Sequence, residues 1–266
     1  LWAFVPSKVL ANIGETVERG YAFRTKYDGS PVLGKFSAAG KLLVSGMGVA
    51  GRGYFALDVS NPRGLNEAGL AAKLKWEFPG AADAAKVGQT LGRPVIVKTD
   101  NDGYVVLLTS GYNSSADGKG RLWMLNADTG VVIKEFTVDA GALGAEAGLA
   151  HVTAFGESTG TVQYVYGGDL LGNVWRFDLK GKGDPTKVAT LIGADGLPQP
   201  VTAAPELLYH SGQRVIFVGT GRLMDISDFG NSRVQSIYAI SDGATLVNAR
   251  TSLVKQTYDR ATDSMS

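Results

Sequence analysis

The chain of 266 residues carries 26 basic and 25 acidic side chains, for a formal net charge of +1. With no long Lys/Arg run, this excludes an electrostatic footprint for nucleic acid or an anionic membrane. The absence of cysteine excludes thiol catalysis, disulfides and Cys-ligated metal, and the 36 glycines, about twice the usual share, predict many tight turns between short strands.

The chain opens on LWAFV, strand-like and without a Met, and holds no 18-residue apolar run, so it reads as an excised domain. From there one unit recurs: a β-rich strand, a Gly-containing polar turn, and a strand with an aromatic residue followed two positions later by Leu, Phe or Ile. The copies span 41–58, 104–126, 162–178 and 214–241, and LWAFV is a half copy. The aligned aromatics are Trp2, Phe55, Trp123, Trp175 and Tyr238. Further strands fit between the paired ones, at VVIKEFTV after Asn126 and KVATLIG after Asp178. In VWRFDL, Trp175 and Phe177 share one face and Arg176 and Asp178 the other. YVVLL and RVIFVG are continuous apolar runs, as in strands packed on both faces. Residues 64–74, 82–89 and 141–150 read as short helices or ordered loops. A repeated hairpin that buries its aromatic against the next copy predicts one all-β domain over residues 1–266. The architecture expected is a β-propeller of four-stranded blades, five to seven in number and irregular or incomplete. An open sandwich is the alternative.

Loops supply the candidate sites. TDNDG places Asp100, Asn101 and Asp102 before Gly103, a hairpin signal first and a weak calcium candidate second, since no distal bidentate Glu follows. The longest insertion inside a repeat hairpin, 224–235, carries Asp225, Asp228 and Arg233 as interaction candidates, and the loop 111–120 adds Tyr112 and Asn113. Nothing supports catalysis: His151 and His210 sit in no recognised motif. GMGVAG precedes a strand, whereas a dinucleotide fingerprint opens a helix.

Seven segments in order (YDGSPVLGK, GMGVAGRGYFALDVSNP, KWEFPG, LGRPVIV, TSGYNSSADGKGRLWMLNADTG, YVYGGDLLGNVWRFDL and GTGRLMDISDFGNSRVQSIYAI) resemble the C-terminal propeller of the PilY/PilC family of type IV pilus-associated tip adhesins and biogenesis factors. The resemblance implies a non-enzymatic domain, periplasmic or outer-membrane to cell-surface, located at the pilus tip. Its implied roles are pilus assembly, twitching motility and adhesion. The implied partners are minor pilins, the N-terminal domain of its own full-length protein, and host or abiotic surfaces, with no nucleic acid and no membrane insertion. It also implies a calcium loop D-x-[DN]-x-D-G-x-x-D, which falls here on FGESTGTVQ. Glu157, Thr159 and Gln163 stand at ligand positions, Phe155 replaces the first acid, and only Glu157 offers a carboxylate. The expectation is therefore a hairpin without tight calcium binding, and no cofactor. The competing reading is a quinoprotein (PQQ) dehydrogenase propeller, suggested by NADTG after a W-x-L-N strand end. The missing vicinal cysteines, the lack of a cluster of metal-ligating acids and the small number of repeats oppose it.

Overall fold

A computed structural model describes residues 2–63 and 65–265. Three four-stranded antiparallel meanders follow one another along the chain. Blade 1 is β1 (Val32–Lys35), β2 (Lys41–Gly46), β3 (Tyr54–Asp58) and β4 (Leu74–Phe78). Blade 2 is β5 (Val95–Thr99), β6 (Gly103–Thr109), β7 (Arg121–Asn126) and β8 (Val132–Thr137). Blade 3 is β9 (Leu149–Gly156), β10 (Val162–Asp169), β11 (Asn173–Asp178) and β12 (Thr186–Thr190). Blade 4 has three strands, β13 (Glu206–His210), β14 (Gln213–Gly219) and β15 (Ile237–Ser241), and a small hairpin, β16 (Tyr258–Asp259) with β17 (Ser264–Met265), comes last.

The first strands stand side by side, β1 against β5, β5 against β9 and β9 against β13, which makes them the inner strands of a radial array. Gly34 permits the first of these contacts, because a Cβ there would lie 2.6 Å from Ile96 Cγ2. Between blades the sheets meet face to face and every joint is apolar. Tyr54, Ala56, Trp76 and Phe78 pack on Val106, Leu108, Trp123 and Leu125, with the Phe78 and Trp123 rings edge-on at 5.2 Å. Leu107, Leu122, Met124 and Phe136 pack on Val165, Trp175 and Phe177. Tyr166, Val174 and Val188 pack on Ile216, Val218, Tyr238 and Ile240. Each such side chain contributes about 1.5–3 kcal/mol by burial, so the joints hold the array together.

Phe55, Trp123, Trp175 and Tyr238 all fall in third strands, β3, β7, β11 and β15, as the repeat predicts. Trp2 does not. Residues 2–5 form no strand; Pro6 and a single helical turn (Ser7–Leu10) follow them at once. Trp2 Nε1 donates to the Pro62 carbonyl, and Phe4 lies 5.1 Å from the Phe55 ring, so this segment straps the outer face of blade 1. Four blade sheets are thus described, where five to seven blades were expected. RVIFVG also departs from expectation: β14 buries Ile216 and Val218 but leaves Phe217 exposed, because among the described residues only one face of blade 4 meets another sheet. Of the ambiguous segments, 67–71 is a helix capped by Asn66, 81–86 is a 3-10 turn, and 141–148 is a loop closed by an Ala142–Ala145 bridge.

Candidate binding face

Meander topology sends the loops to two ends of the array. The turns joining first to second and third to fourth strands share the hairpin end. The turns joining second to third strands share the crossover end with the blade-to-blade connections.

Both calcium candidates lie at the hairpin end. Residues 157–161 form the β9–β10 hairpin, closed by Glu157 N–H to the Thr161 carbonyl at 2.8 Å and by a Thr159–Thr161 hydroxyl pair. Phe155 packs near Tyr209 and under the Arg214 guanidinium, and Gln163 Nε2 reaches Asp178 Oδ1 at 3.4 Å. In the β5–β6 hairpin, which contains Asp100 and Asn101, the Asp102 N–H donates to Thr99 Oγ1. Asp102 Oδ1 pairs with Lys182 Nζ at 2.8 Å, so a cation from blade 3 already engages one oxygen, while Oδ2 is buried without a hydrogen-bond partner. Among the described residues, no three His, Asp or Glu side chains converge as a metal site.

The interaction candidates lie at the crossover end, which is stitched by backbone bonds between neighbouring loops. Gly111 exchanges bonds with Leu149, Gln89 with Tyr112, and Val201 N–H donates to the Asp169 carbonyl. Tyr112 is buried within this seam; its hydroxyl has no hydrogen-bond partner, and burial with the Asp169 charge nearby pushes its pKa up. Asn113 is exposed, at a positive φ of 60°, and donates to Gln89 Oε1 at 2.9 Å.

The 220–236 loop, between β14 and β15, is held at two points. Asp228 is buried, accepts from the Met224 and Asp225 N–H groups, and pairs with Arg222 at 2.7 Å. That guanidinium holds its carboxyl below the usual range. Arg233 pairs with Asp195 at 2.7 Å and donates to the Leu197 and Pro198 carbonyls, tying the far limb to the next connection. Between these anchors the loop exposes Ile226 (83%) and Phe229 (71%). Asn113, Asp225 and Asp228, from loops far apart in sequence, meet with Val49, Glu146 and Leu171 around one cleft of ≈ 690 Å³. Three of the five predicted interaction residues thus line one opening, while Tyr112 is interior and Arg233 acts as an anchor.

Two groups at this end carry much of its order. Asp169, fully buried, accepts from the Leu171 and Asn173 N–H groups, Asn173 Nδ2 and Trp175 Nε1, all within 2.8–2.9 Å. Burial pushes its pKa up and the four donors pull it down, with burial the larger effect. Gly172, at φ 78°, closes the same turn. Arg121 is nearly buried and binds Asp117 through both terminal nitrogens and Glu135 through Nε, while Glu135 continues to Lys86 and Lys86 to Asp83. This network ties the 79–94 connection to β7 and β8. Sequence reasoning missed both groups; the D-x-x-x-N-x-W spacing from Asp169 to Trp175 is the local signal that could have pointed to the first.

These features define a β-propeller of meander blades that displays its long, anchored loops at one end. A family model described as the PilY1 beta-propeller domain matches residues 4–264, and the chain belongs to that family. It is 30% identical over 306 residues to the type IV pilus biogenesis factor PilY1 of Pseudomonas aeruginosa strain PAO1, covering 99% of this chain and 26% of the relative. A PilY1 homolog of Xylella fastidiosa is 32% identical over 262 residues, covering 95% of this chain and 20% of that protein. The chain therefore spans about a quarter or less of these relatives. The crystal structure of the P. aeruginosa PilY1 C-terminal domain superposes with a TM-score of 0.77 at 27% identity, over 97% of this chain and 58% of that one.

Proposed function

We propose that this propeller is a non-enzymatic binding domain of the type IV pilus machinery. In this reading it acts at the pilus tip, from the periplasm and outer membrane outward, in pilus assembly, twitching motility and surface adhesion. Its partners are minor pilins, the remainder of its own polypeptide, and the surface to which the cell attaches. It needs no cofactor, and the hairpin-end loops do not depend on calcium. Family membership supports the pilus setting, and the relatives named above are biogenesis factors. The observation that carries the binding role is the 220–236 loop, anchored through Asp228 and Arg233 while Ile226 and Phe229 face solvent beside the cleft. Exposed apolar side chains on a fixed frame are what a protein partner buries at low entropic cost.

The test is Ile226→Ser with Phe229→Ser in the full-length protein, expressed in cells lacking their own copy. Surface pili and twitching zones are expected to fall while the isolated domain keeps its melting temperature. Wild-type piliation and motility from that variant would overturn the assignment to this loop.

A further inference from the structure

The hairpin end of the joint between blades 3 and 4 holds an uneven set of charges. Asp242, which follows β15 directly, is 2% exposed at its side chain, and two guanidiniums converge on it. Arg176 of β11 donates through Nη1 to Oδ1 at 2.7 Å, and Arg214 of β14 through Nε to Oδ2 at 3.2 Å. Tyr166 of β10 donates its hydroxyl to the same Oδ2 at 2.7 Å and accepts from Arg214 Nε. Burial, with the Asp242 charge beside it, pushes the Tyr166 pKa up, so the hydroxyl stays a donor. One carboxylate therefore answers two cations, and the cluster keeps one unit of positive charge. Asp178, opposite Tyr164 in the register, forms no ion pair with either arginine; its Oδ1 accepts from the Lys180 and Gly181 N–H groups of the turn that follows.

The free donors of this cluster face solvent. Arg176 Nε and Nη2 and both Arg214 Nη atoms have no hydrogen-bond partner among the described residues. Among those residues, the only buried side-chain nitrogen or oxygen atoms without a partner are Asp102 Oδ2 and the Tyr112 hydroxyl, so these four are open to water. Both guanidiniums lie over the Tyr164 ring, at 5.3 and 4.3 Å from its centroid, and Arg214 reaches the Phe155 ring as well. Stacking of this kind holds the planar forks in place before any ligand arrives. Phe155 in turn meets Tyr209, which is 60% exposed. A shelf results, running from an aromatic ring on β13 to two oriented guanidinium forks. Beyond Asp242 the chain crosses to β12, where Thr245 Oγ1 donates to the Lys187 carbonyl and Leu246 bridges Ala189. Every group that builds the shelf thus belongs to one joint, and none to the first or last residues of the chain.

We propose that this shelf is a binding site for a carboxylate carried on a ring, the chemistry of a uronic acid. The carboxylate takes the open forks of Arg176 and Arg214 and neutralises the remaining charge, while the ring rests on Tyr209. A planar guanidinium matches a planar carboxylate in two parallel bonds, and the flanking aromatic rings strengthen them by lowering the local dielectric. The shelf lies at the opposite end of the array from the crossover-end cleft, so the inference goes beyond the binding role proposed above.

Glucuronate is the probe. It is titrated into the 266-residue chain at low ionic strength, where screening is least, and amide and arginine side-chain signals are followed by NMR. Saturable shifts are expected at Arg176, Arg214 and Tyr209. Glucose is expected to cause none, and acetate to bind about threefold to tenfold more weakly for want of a ring. Arg176→Lys keeps a cation beside Asp242 but loses the fork, and is expected to weaken glucuronate by about tenfold at an unchanged melting temperature. Should that variant fail to fold, Tyr209→Ala gives the second reading, since its ring is exposed and its loss is expected to bring glucuronate to the affinity of acetate. The proposal is overturned by the absence of saturable shifts, by shifts confined to the crossover-end loops, or by an affinity that neither substitution moves. Acetate binding as tightly as glucuronate would remove the ring from the site. Inorganic phosphate binding more tightly would make the arginines a general anion site, and either result equally overturns the proposal.

Discussion

Asp169 illustrates what a buried carboxylate costs and what it organises. Its two oxygens receive four donors, and three of them, the Asn173 N–H, Asn173 Nδ2 and Trp175 Nε1, would be buried and unsatisfied without it. Asp169→Asn places an NH2 where one oxygen now accepts, facing either Trp175 Nε1 and Asn173 Nδ2 or the two backbone N–H groups. We expect it to lower unfolding free energy by about 2–4 kcal/mol, read from urea denaturation at neutral pH. Asp117 behaves in the opposite electrostatic sense. Its hydrogen bonds to Arg121 hold its pKa at about 2, below the unfolded value of about 3.9. A folded pKa below the unfolded one gives stability that is present above pH ~4 and lost as pH falls through about 2. Urea midpoints from pH 5 to pH 2 are therefore expected to converge for the native chain and Asp117→Asn; a gap constant to pH 2 would contradict the pairing. The sequence places both acids near turns and hints at the first only through its spacing to Asn173 and Trp175. Asp117 finds Arg121 four residues on, while the β10–β11 hairpin brings Trp175 back over Asp169 and the β7–β8 pairing sets Glu135 beside Arg121.

Strands as elements were more legible than their surroundings, because alternation and β-branched runs act locally while a face becomes buried only when a neighbour arrives. The third-strand aromatics show this. Trp123 and Trp175 are fully buried in successive joints, and their truncation removes both area and an edge or cage contact. Trp123→Ala and Trp175→Ala are each expected to cost about 3–5 kcal/mol, enough to lower the melting temperature before any loop contact is affected. Tyr238 occupies the equivalent strand of blade 4 with no fourth strand beside it, so Tyr238→Ala is expected to cost less, about 2–3 kcal/mol. Equal losses at all three positions would contradict the reading of blade 4 as the open member. LWAFV, described over residues 2–5, forms no strand for the same physical reason. Its aromatic spacing is that of a strand, yet Pro6 and the following turn leave it to pack on a sheet face.

Across the whole molecule the array is asymmetric. The outer face of blade 1 is covered by the chain's own first residues, with Phe4 and Tyr27 against Phe55, Tyr27 OH bonded to Ser45, and Ser7 bonded to Glu77. The corresponding face of blade 4 exposes Leu208, Phe217 and Ile237. Among the described residues, blades 2 and 3 lie between two apolar joints each, whereas blade 4 has one, and opening free energy tracks the contacts that must be broken. Native-state hydrogen exchange is therefore expected to be slowest at β6, β7, β10 and β11, and fastest among blade strands at β13 and β15. Phe4→Ala in the 266-residue chain is expected to loosen β3 and β4 while leaving exchange at β13–β15 unchanged, since among the described residues no apolar joint links those ends. Such exchange would also separate an array held joint by joint from one that opens as a unit, in which every blade would show the same protection. The number of blades was the least legible feature. Each sequence repeat specifies a hairpin, but whether it becomes a flanked blade depends on which segment pairs with its outer edge. In blade 4 the residues next in sequence, around Leu246, pair with β12 of blade 3 instead.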